Sequence, residues 1–247
     1  MEFHEFMAQL HERLAPDTYL EIGVRHGESL ALAKCVSVGI DPAFDLTLQL
    51  APSASLFEQT SDEYFRRAEP LAPFEGQPIT LALIDGMHLV EYVLRDFINV
   101  ERRTRWSSVV VIDDVLPRRS VEAARERKTR FWTGDVYKIV RILERRRPDL
   151  VCIKVDTEPT GVLVILGLDP HNTVLDERFE KIASRAIKAN RRGVPASVLK
   201  RKGALSPEAI LAAGFWSLLR DSSARELPRE QGLAQLHERL QGDAVPR

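Results

Sequence analysis

Four polar residues follow two apolar runs near the middle of the chain. The run ITLALI is followed directly by Asp85, and His88 comes three positions later. The β-branched run SSVVVI is followed by Asp113 and Asp114. If these runs are neighbouring parallel strands, their carboxyl ends lie at one edge of the sheet, where ligands bind in open α/β folds. The pattern therefore places three carboxylates and an imidazole near one another.

Three carboxylates in one place repel each other unless something neutralises them. A hard divalent cation with oxygen ligands does so, and Mg²⁺ suits a few carboxylates combined with waters and substrate oxygens. We therefore predict that Asp85, Asp113 and Asp114 bind magnesium. The alternative is that one aspartate caps a helix and another faces water.

The histidine can serve as a general base beside such a cation, because the ordinary pKa of imidazole lies close to neutral pH. A bound cation lowers the pKa of a coordinated hydroxyl, so Asp85 and His88 are the predicted catalytic residues. The alternative is that His88 caps the helix that begins near Leu89, or packs on the core.

The turn after the first predicted strand lies within the sequence EIGVRHG. Glu21, Gly23 and Gly27 surround this turn, and glycine lets the backbone approach a ligand closely. Arg25 stands where the dinucleotide fingerprint G-x-G-x-x-G has its second glycine, and this argues against a nicotinamide-dependent oxidoreductase. A plain tight turn without a ligand is the alternative.

Two further strand ends carry polar residues. Asp41 ends the second predicted strand, and an acid there can accept hydrogen bonds from both hydroxyls of a ribose. A turn aspartate before Pro42 is the alternative. Ser61 or Asp62 follows the third strand, where either can meet an adenine edge or cap the next helix.

Strand-like and helix-like segments alternate through the first two thirds of the chain. This order predicts an α/β fold with a mostly parallel sheet, helices on both faces and a closing antiparallel hairpin. The predicted strands cover residues 18–24, 37–41, 54–60, 79–85 and 107–114, with the hairpin at 150–156 and 161–169. The predicted helices cover residues 3–14, 27–36, 61–71, 89–103 and 133–147, with Thr133 as N-cap of the last. Two more helices, 174–189 and 206–220, follow Pro170, the second with Ser206 as N-cap and Pro207 at its first position.

Composition excludes several classes of protein. The formal net charge of −1 over 247 residues argues against a bulk nucleic-acid binder. The sequence has no run of about 18 apolar residues that would predict a membrane helix, and the N-terminus lacks a signal-peptide pattern. Cys35 and Cys152 have no metal-type spacing, so we expect reduced thiols in a cytoplasmic protein.

The segments YLEIGVRHG, GID, ALIDGMH and VVVIDD, in this order, resemble class I S-adenosylmethionine-dependent methyltransferases. Within that superfamily they are similar to the metal-dependent O-methyltransferases of macrolide sugars and related natural products, and to their cephalosporin-biosynthesis relatives. The resemblance covers roughly residues 15–170 and implies a Rossmann-like sheet. In that branch, acids at the positions of Asp85, Asp113 and Asp114 hold Mg²⁺, and a histidine at the position of His88 is the base in some members.

This resemblance implies an S-adenosylmethionine-binding domain over residues 1–170 that methylates a hydroxyl of a small molecule or sugar. The cofactor would bind at Glu21, Gly23, Arg25, Gly27, Asp41, Ser61 and Asp62. Some members of the branch have Glu where this chain has Asp113, which keeps the charge. A metal-independent small-molecule methyltransferase and a non-catalytic S-adenosylmethionine-binding scaffold are the alternatives. A base-modifying nucleic-acid methyltransferase is disfavoured, because the fourth strand ends in IDGMH rather than Asn/Asp-Pro-Pro-Tyr/Phe.

Two regions lie outside these motifs. The long connection after the fifth strand, VLPRRSVEAARERKTRFWTGDVYK, is rich in arginine and aromatic residues, which suit an anionic acceptor or a sugar ring. A solvated lid is the alternative. Residues 171–247 are predicted to form a helical extension through which two copies of the chain can associate.

Overall fold

The computed structural model of the protein describes residues 1–189 and 193–243. Seven strands form one sheet in the order β3-β2-β1-β4-β5-β7-β6. Strands β1 to β5 pair in parallel, whereas β7 is antiparallel to both β5 and β6. This confirms the predicted parallel sheet with its closing hairpin. The strands are β1 Thr18–Ile22, β2 Val36–Asp41, β3 Ala54–Glu58, β4 Ile79–Ile84, β5 Thr104–Ile112, β6 Val151–Val155 and β7 Val162–Leu166.

Ten α-helices are present in the part of the chain that the structure describes. They are α1 Phe3–Leu14, α2 Ser61–Phe65, α3 Val90–Glu101, α4 Lys138–Arg146, α5 Phe179–Lys188, α6 Ala196–Leu199, α7 Pro207–Ala212, α8 Phe215–Arg220, α9 Ser222–Arg225 and α10 Arg229–Gly242. Among these residues no helix has both the length and the apolar character needed to cross a membrane.

Both faces of the sheet are covered, so its central strands are buried throughout. Every residue of β1, β4 and β7 is buried, which fits their nearly continuous apolar sequences. Helices α2, α3, α4 and α5 pack on one face. Helices α1, α7, α8 and α10 pack on the other. Helices α7, α8 and α10 therefore share a buried core with α1, and the division at residue 170 stays a prediction.

The predicted helix over residues 27–36 is wrong. Only one 3₁₀ turn, Leu30–Leu32, forms in this connection. The carbonyls of Arg25 and His26 accept hydrogen bonds from the amides of Asp45 and Thr47, so the residues just before this turn are tied to the loop after β2.

The predicted N-caps of two helices are wrong. The N-cap of α2 is Thr60, which forms a capping box with Glu63, so Ser61 and Asp62 are not caps. Helix α4 begins at Lys138, and Thr133 is not its N-cap. The hydroxyl of Thr133 is buried and bonds instead to the backbone carbonyl of Glu122.

The C-terminal helices are shorter than predicted. Helix α5 begins at Phe179 rather than near residue 174. The segment 206–220 is two helices, because the carboxylate of Asp243 accepts hydrogen bonds from the amides of Gly214 and Phe215 and starts a new helix there. The prediction for Ser206 is confirmed, since its hydroxyl accepts a hydrogen bond from the amide of Ala209.

Candidate active site at the carboxyl ends of the strands

The turn after β1 approaches the end of β4 so closely that only glycine fits at its first position. Gly23 has φ +91°, and a Cβ built there would lie 2.1 Å from the carbonyl oxygen of Asp85. The amide of Asp85 in turn donates to the carbonyl of Ile22. Gly27 also needs its positive φ of +83°. The turn and the residue that follows β4 are therefore one packed unit.

We expect Gly23→Ala to lower the free energy of unfolding by more than about 3 kcal/mol, because the left-handed backbone and the contact with Asp85 both oppose a methyl group. Gly76→Ala is the matched control, since Gly76 has φ +77° and nothing within 4 Å of the added Cβ. That control should lose only about 1–2 kcal/mol. Urea denaturation measures both, and equal losses would show that the contact with Asp85 is not important.

Asp41 holds the same turn from the neighbouring strand. Its two carboxylate oxygens accept hydrogen bonds from the amides of Arg25, at 2.9 Å, and Ala43, at 2.8 Å. Arg25 has a positive φ of 45°, and its side chain is exposed. Asp41 thus shapes the turn through the backbone, and its half-buried carboxylate lies at the strand end where the sequence predicted a ribose contact.

Glu21 lies beneath this turn and is only 1% exposed. The Tyr19 hydroxyl donates a 2.7 Å hydrogen bond to its carboxylate. Burial, with a smaller contribution from the charge of Asp41, raises the pKa of Glu21 to about 8 even though the Tyr19 hydrogen bond lowers it. Glu21 is therefore largely protonated at neutral pH, and it supports the turn from within the sheet.

The polar residues after β4 and β5 converge as the sequence predicted. One side-chain ligand atom each from Asp85, His88 and Asp114 lie within 4.8 Å of one another, a spacing that can hold a metal ion. The His88 Nδ1 atom contacts the Asp114 Oδ2 atom. The cluster thus contains two carboxylates and one imidazole, and sequence reasoning did not include His88 among the metal ligands.

Asp113 lies beside this cluster but is not part of it. Its Oδ1 atom is buried and has no hydrogen-bond partner among the described residues. Burial, and then the charge of Asp114, raise the pKa of Asp113 well above its ordinary value. Burial and repulsion from Asp113 and Asp114 do the same for Asp85. A buried oxygen without a partner beside two further carboxylates fits a cation, because a cation would satisfy the oxygen and offset the repulsion.

His88 is held in an unusual backbone conformation and is not a helix cap. Its φ is +51°, a region that costs energy for a residue with a side chain. The N-cap position of α3 is Leu89, without any side-chain hydrogen bond of its own. The ring of His88 lies 5.2 Å from that of Trp132, measured between centroids, and the side chain is 28% exposed. The imidazole therefore lies between Asp114 and Trp132 with access to solvent.

The structure separates the two predicted adenine contacts. Ser61 shares a side-chain hydrogen bond with Asp96. The Asp96 carboxylate is close to Gly86, the residue after Asp85, since a Cβ added to Gly86 would lie 3.8 Å from it. Asp62 instead pairs with Arg95 at 2.7 Å and lines a cavity of about 530 Å³ whose lining contains neither Asp85 nor His88. Ser61 is thus near the strand ends, and Asp62 is directed away from them.

Sequence reasoning missed Asp96. It is 3% exposed, and burial raises its pKa to about 7. A lone acid on the buried face of α3 gave a signal only as a break in the apolar pattern. With Ser61 and Gly86 it marks a polar edge beside the strand ends.

The long connection after β5 folds back over this site. Glu122 is fully buried, and its carboxylate pairs with the guanidinium groups of Arg118 and Arg119. Its backbone carbonyl accepts hydrogen bonds from the amides of Thr133 and Gly134. The segment therefore contains internal ion pairs around a buried glutamate, and many of its other side chains are exposed.

The comparisons with known proteins point in one direction. Residues 20–115 match the family described as a methyltransferase domain. No curated protein matches the chain. A candidate O-methyltransferase from Klebsiella pneumoniae is similar in structure, with a TM-score of 0.50, 15% identity and coverage of 66% of this chain and 78% of that chain.

Two other solved structures show weaker similarity. The O-methyltransferase TomG from Streptomyces achromogenes, which is involved in tomaymycin synthesis and was solved with S-adenosylmethionine, has a TM-score of 0.49 and 16% identity over 66% of this chain and 78% of that chain. An O-methyltransferase from Bacillus cereus, in complex with SAH, has a TM-score of 0.45 and 11% identity over 66% of this chain and 80% of that chain.

The matched family and the fold agree with each other. The strand order with its antiparallel hairpin is that of the Rossmann-like methyltransferase fold. The matched segment contains the Gly23 turn, Asp41, Asp85, His88 and Asp114. Residues 20–115 of this chain are therefore similar to a methyltransferase domain, and they lie within a sheet of the Rossmann-like methyltransferase fold.

Proposed function

We propose that the protein is an S-adenosylmethionine-dependent O-methyltransferase that acts on a hydroxyl group of a small molecule with the help of a divalent cation, Mg²⁺ by preference. The observation that supports it most is the convergence of Asp85, His88 and Asp114 beside the turn at Gly23. The two carboxylates and the imidazole suit the activation of a hydroxyl, and the turn at Gly23 suits the close approach of a cofactor.

The proposed cofactor site uses the turn after β1 and the ends of β2 and β3. Gly23 and Gly27 give the turn its left-handed backbone, and Asp41 would accept hydrogen bonds from the ribose hydroxyls. Glu21 and the backbone of Arg25 would keep the turn in shape. Ser61 remains a proposed contact for the adenine edge, whereas the ion pair of Asp62 with Arg95 makes Asp62 a weak candidate.

The residues at the ends of β4 and β5 fit a cation. Asp85, Asp113 and Asp114 would hold it, and carboxylate oxygens are the ligands that Mg²⁺ prefers. When bound, such an ion lowers the pKa of a coordinated hydroxyl and orients it. Methyl transfer also needs the acceptor oxygen to be aligned, and orientation of this kind can lower a barrier by up to ~7–11 kcal/mol.

His88 would accept the proton that the acceptor hydroxyl releases. Asp114 contacts Nδ1 of the ring, which orients the imidazole and leaves Nε2 available as the base. The loop with Trp132 and Arg118 would face the acceptor. Arg118 also lies over the exposed ring of Phe131 at 4.6 Å. Because an aromatic face suits a sugar ring and a guanidinium suits an anion, we propose an acceptor with a sugar or anionic group.

A metal-independent methyltransferase is the second candidate. The contact between His88 and Asp114 favours it, because an imidazole oriented by a carboxylate can act as a general base without a cation.

Cytoplasmic location, and association of two copies through the C-terminal helices, stay predictions.

We expect Asp41→Ala to weaken the binding of S-adenosylhomocysteine by about 1.5–3 kcal/mol, the range for hydrogen bonds to a charged group. Isothermal titration calorimetry measures this directly. Asp45→Ala is the matched control in the same loop, since the Asp45 side chain is 81% exposed. Equal affinity of the Asp41 variant and the wild type would remove Asp41 from the cofactor site, provided that their melting temperatures agree.

A further inference from the structure

We propose that Asp135 is a positioning residue that fastens the loop after β5 to the start of α3 and thereby holds His88 in place. This inference rests on the proposed function of His88. Asp135 is fully buried. Its carboxylate accepts a hydrogen bond from the amide of Val90, 45 positions earlier in the sequence. It touches neither of the groups proposed to react, so its effect must pass through its neighbours.

The two oxygens of Asp135 bind three different donors. The Oδ1 atom accepts a 2.9 Å hydrogen bond from the amide of Val90, the first residue of α3. The Oδ2 atom pairs with the Arg125 guanidinium at 2.9 Å and the Lys138 ammonium at 2.7 Å. A buried carboxylate with two cationic partners and a backbone donor is fully satisfied, and such networks are rigid.

The two cations extend this network to other elements. Arg125 also binds both carboxylate oxygens of Glu91, in the first turn of α3. The Lys138 ammonium donates a 2.8 Å hydrogen bond to the carbonyl of Ala186 in α5. The loop, the start of α3 and α5 are therefore joined at one buried carboxylate.

His88 lies where this network meets the proposed active site, two residues before Val90. Gly134, next to Asp135, lies directly against the backbone of His88. A Cβ added to Gly134 would be 1.7 Å from the carbonyl oxygen of His88. Trp132 packs against the His88 ring from the same loop. Since the left-handed backbone of His88 needs support from its surroundings, Asp135 holds the backbone on both sides of the ring.

The test compares Asp135→Asn with a matched control, Glu101→Gln. Asparagine keeps the shape and one acceptor for Val90 but removes the charge that Arg125 and Lys138 require. Glu101 pairs with buried Arg147 at 2.6 Å at the far end of the same helix, so its variant breaks a buried ion pair without touching His88. Both variants should melt at lower temperature than the wild type.

Only Asp135→Asn should affect the reaction and the loop. We expect kcat to fall by about tenfold or more, with the Kd for S-adenosylhomocysteine within about twofold of wild type. Amide hydrogen exchange should rise in residues 86–90 and 115–137 of this variant alone. A variant with unchanged kcat and unchanged exchange in these segments would overturn the proposal.

A second variant covers the case in which Asp135→Asn does not fold. Arg125→Gln removes one cation at a side chain that is 23% exposed, so its fold is at less risk. Loss of kcat with faster exchange over 115–137 supports the proposal, and a lower melting temperature alone overturns it. If the wild type itself transfers no methyl group, the proposed function fails, whereas the exchange experiment still decides whether Asp135 holds the loop.

Discussion

Chelation of divalent cations with EDTA is expected to abolish methyl transfer, whereas the affinity for S-adenosylhomocysteine should change by less than about twofold. The reason is that Asp85, Asp113 and Asp114 carry the proposed cation at the ends of β4 and β5, apart from the turn after β1. Without an ion, the acceptor hydroxyl would lose both its orientation and the lowered pKa. Turnover with a radiolabelled methyl group, with and without added Mg²⁺, measures the effect.

Substitutions distinguish a bound ion from a general effect of EDTA. Asp85→Asn and Asp114→Asn should lower kcat by about 10²-fold or more even in excess Mg²⁺. Asp176→Asn is the control, because Asp176 forms a half-exposed ion pair with Arg102 and should leave kcat unchanged. Full activity in excess EDTA would contradict the cation and favour the metal-independent candidate, in which Asp114 only orients His88.

The substitution His88→Ala is expected to lower kcat by about 10²-fold or more, the usual contribution of a general base. Cofactor affinity should remain close to that of the wild type, because His88 acts on the acceptor. Steady-state kinetics, together with calorimetry, test both points.

The control for this prediction is His171→Ala, at an exposed position after β7. It should behave as the wild type in every measurement. If His88→Ala lowers only the melting temperature, His88 is a packing residue against Trp132. If kcat and stability both change little while Asp85→Asn is inactive, the cation alone prepares the hydroxyl and water takes the proton.

The sheet could be predicted because its strands are buried on both faces. Runs such as LALI and VVVI are apolar without alternation, and the turns between them contain glycine or acids. The order of strands and helices then leaves few topologies. The ends of β4 and β5 could be placed together for the same reason, and Asp85, His88, Asp113 and Asp114 were found in that way.

The helix predicted over residues 27–36 failed for a reason that local sequence does not contain. Its alanine and leucine residues favour a helix, but the carbonyls of Arg25 and His26, just before it, bond to the loop after β2. Leu30 and Ala33 of this segment still pack in the core on the face that α1, α7, α8 and α10 cover. Tertiary contacts with residues far along the chain therefore overrode the local preference.

The network around Asp135 could not be predicted either. The sequence places Asp135 near the start of a helix, where an acid is expected to favour the N-terminus of that helix. In the structure it serves another helix, α3, through the amide of Val90. Asp135, Arg125 and Lys138 follow no helical or strand periodicity in the sequence. They come together only because the loop after β5 folds back.

The covering of one face by α1 together with α7, α8 and α10 has a consequence for synthesis on the ribosome. Gly232 of α10 lies against Trp106 of β5 so closely that an added Cβ would be 2.3 Å from the ring. All seven strands leave the ribosome before α10 does, so the part of this face around Trp106 that α10 covers stays open to water until α10 has emerged. During that time the apolar face can bind another nascent chain or a chaperone. Premature termination before residue 229 would leave Trp106 exposed, and the product would be prone to aggregate.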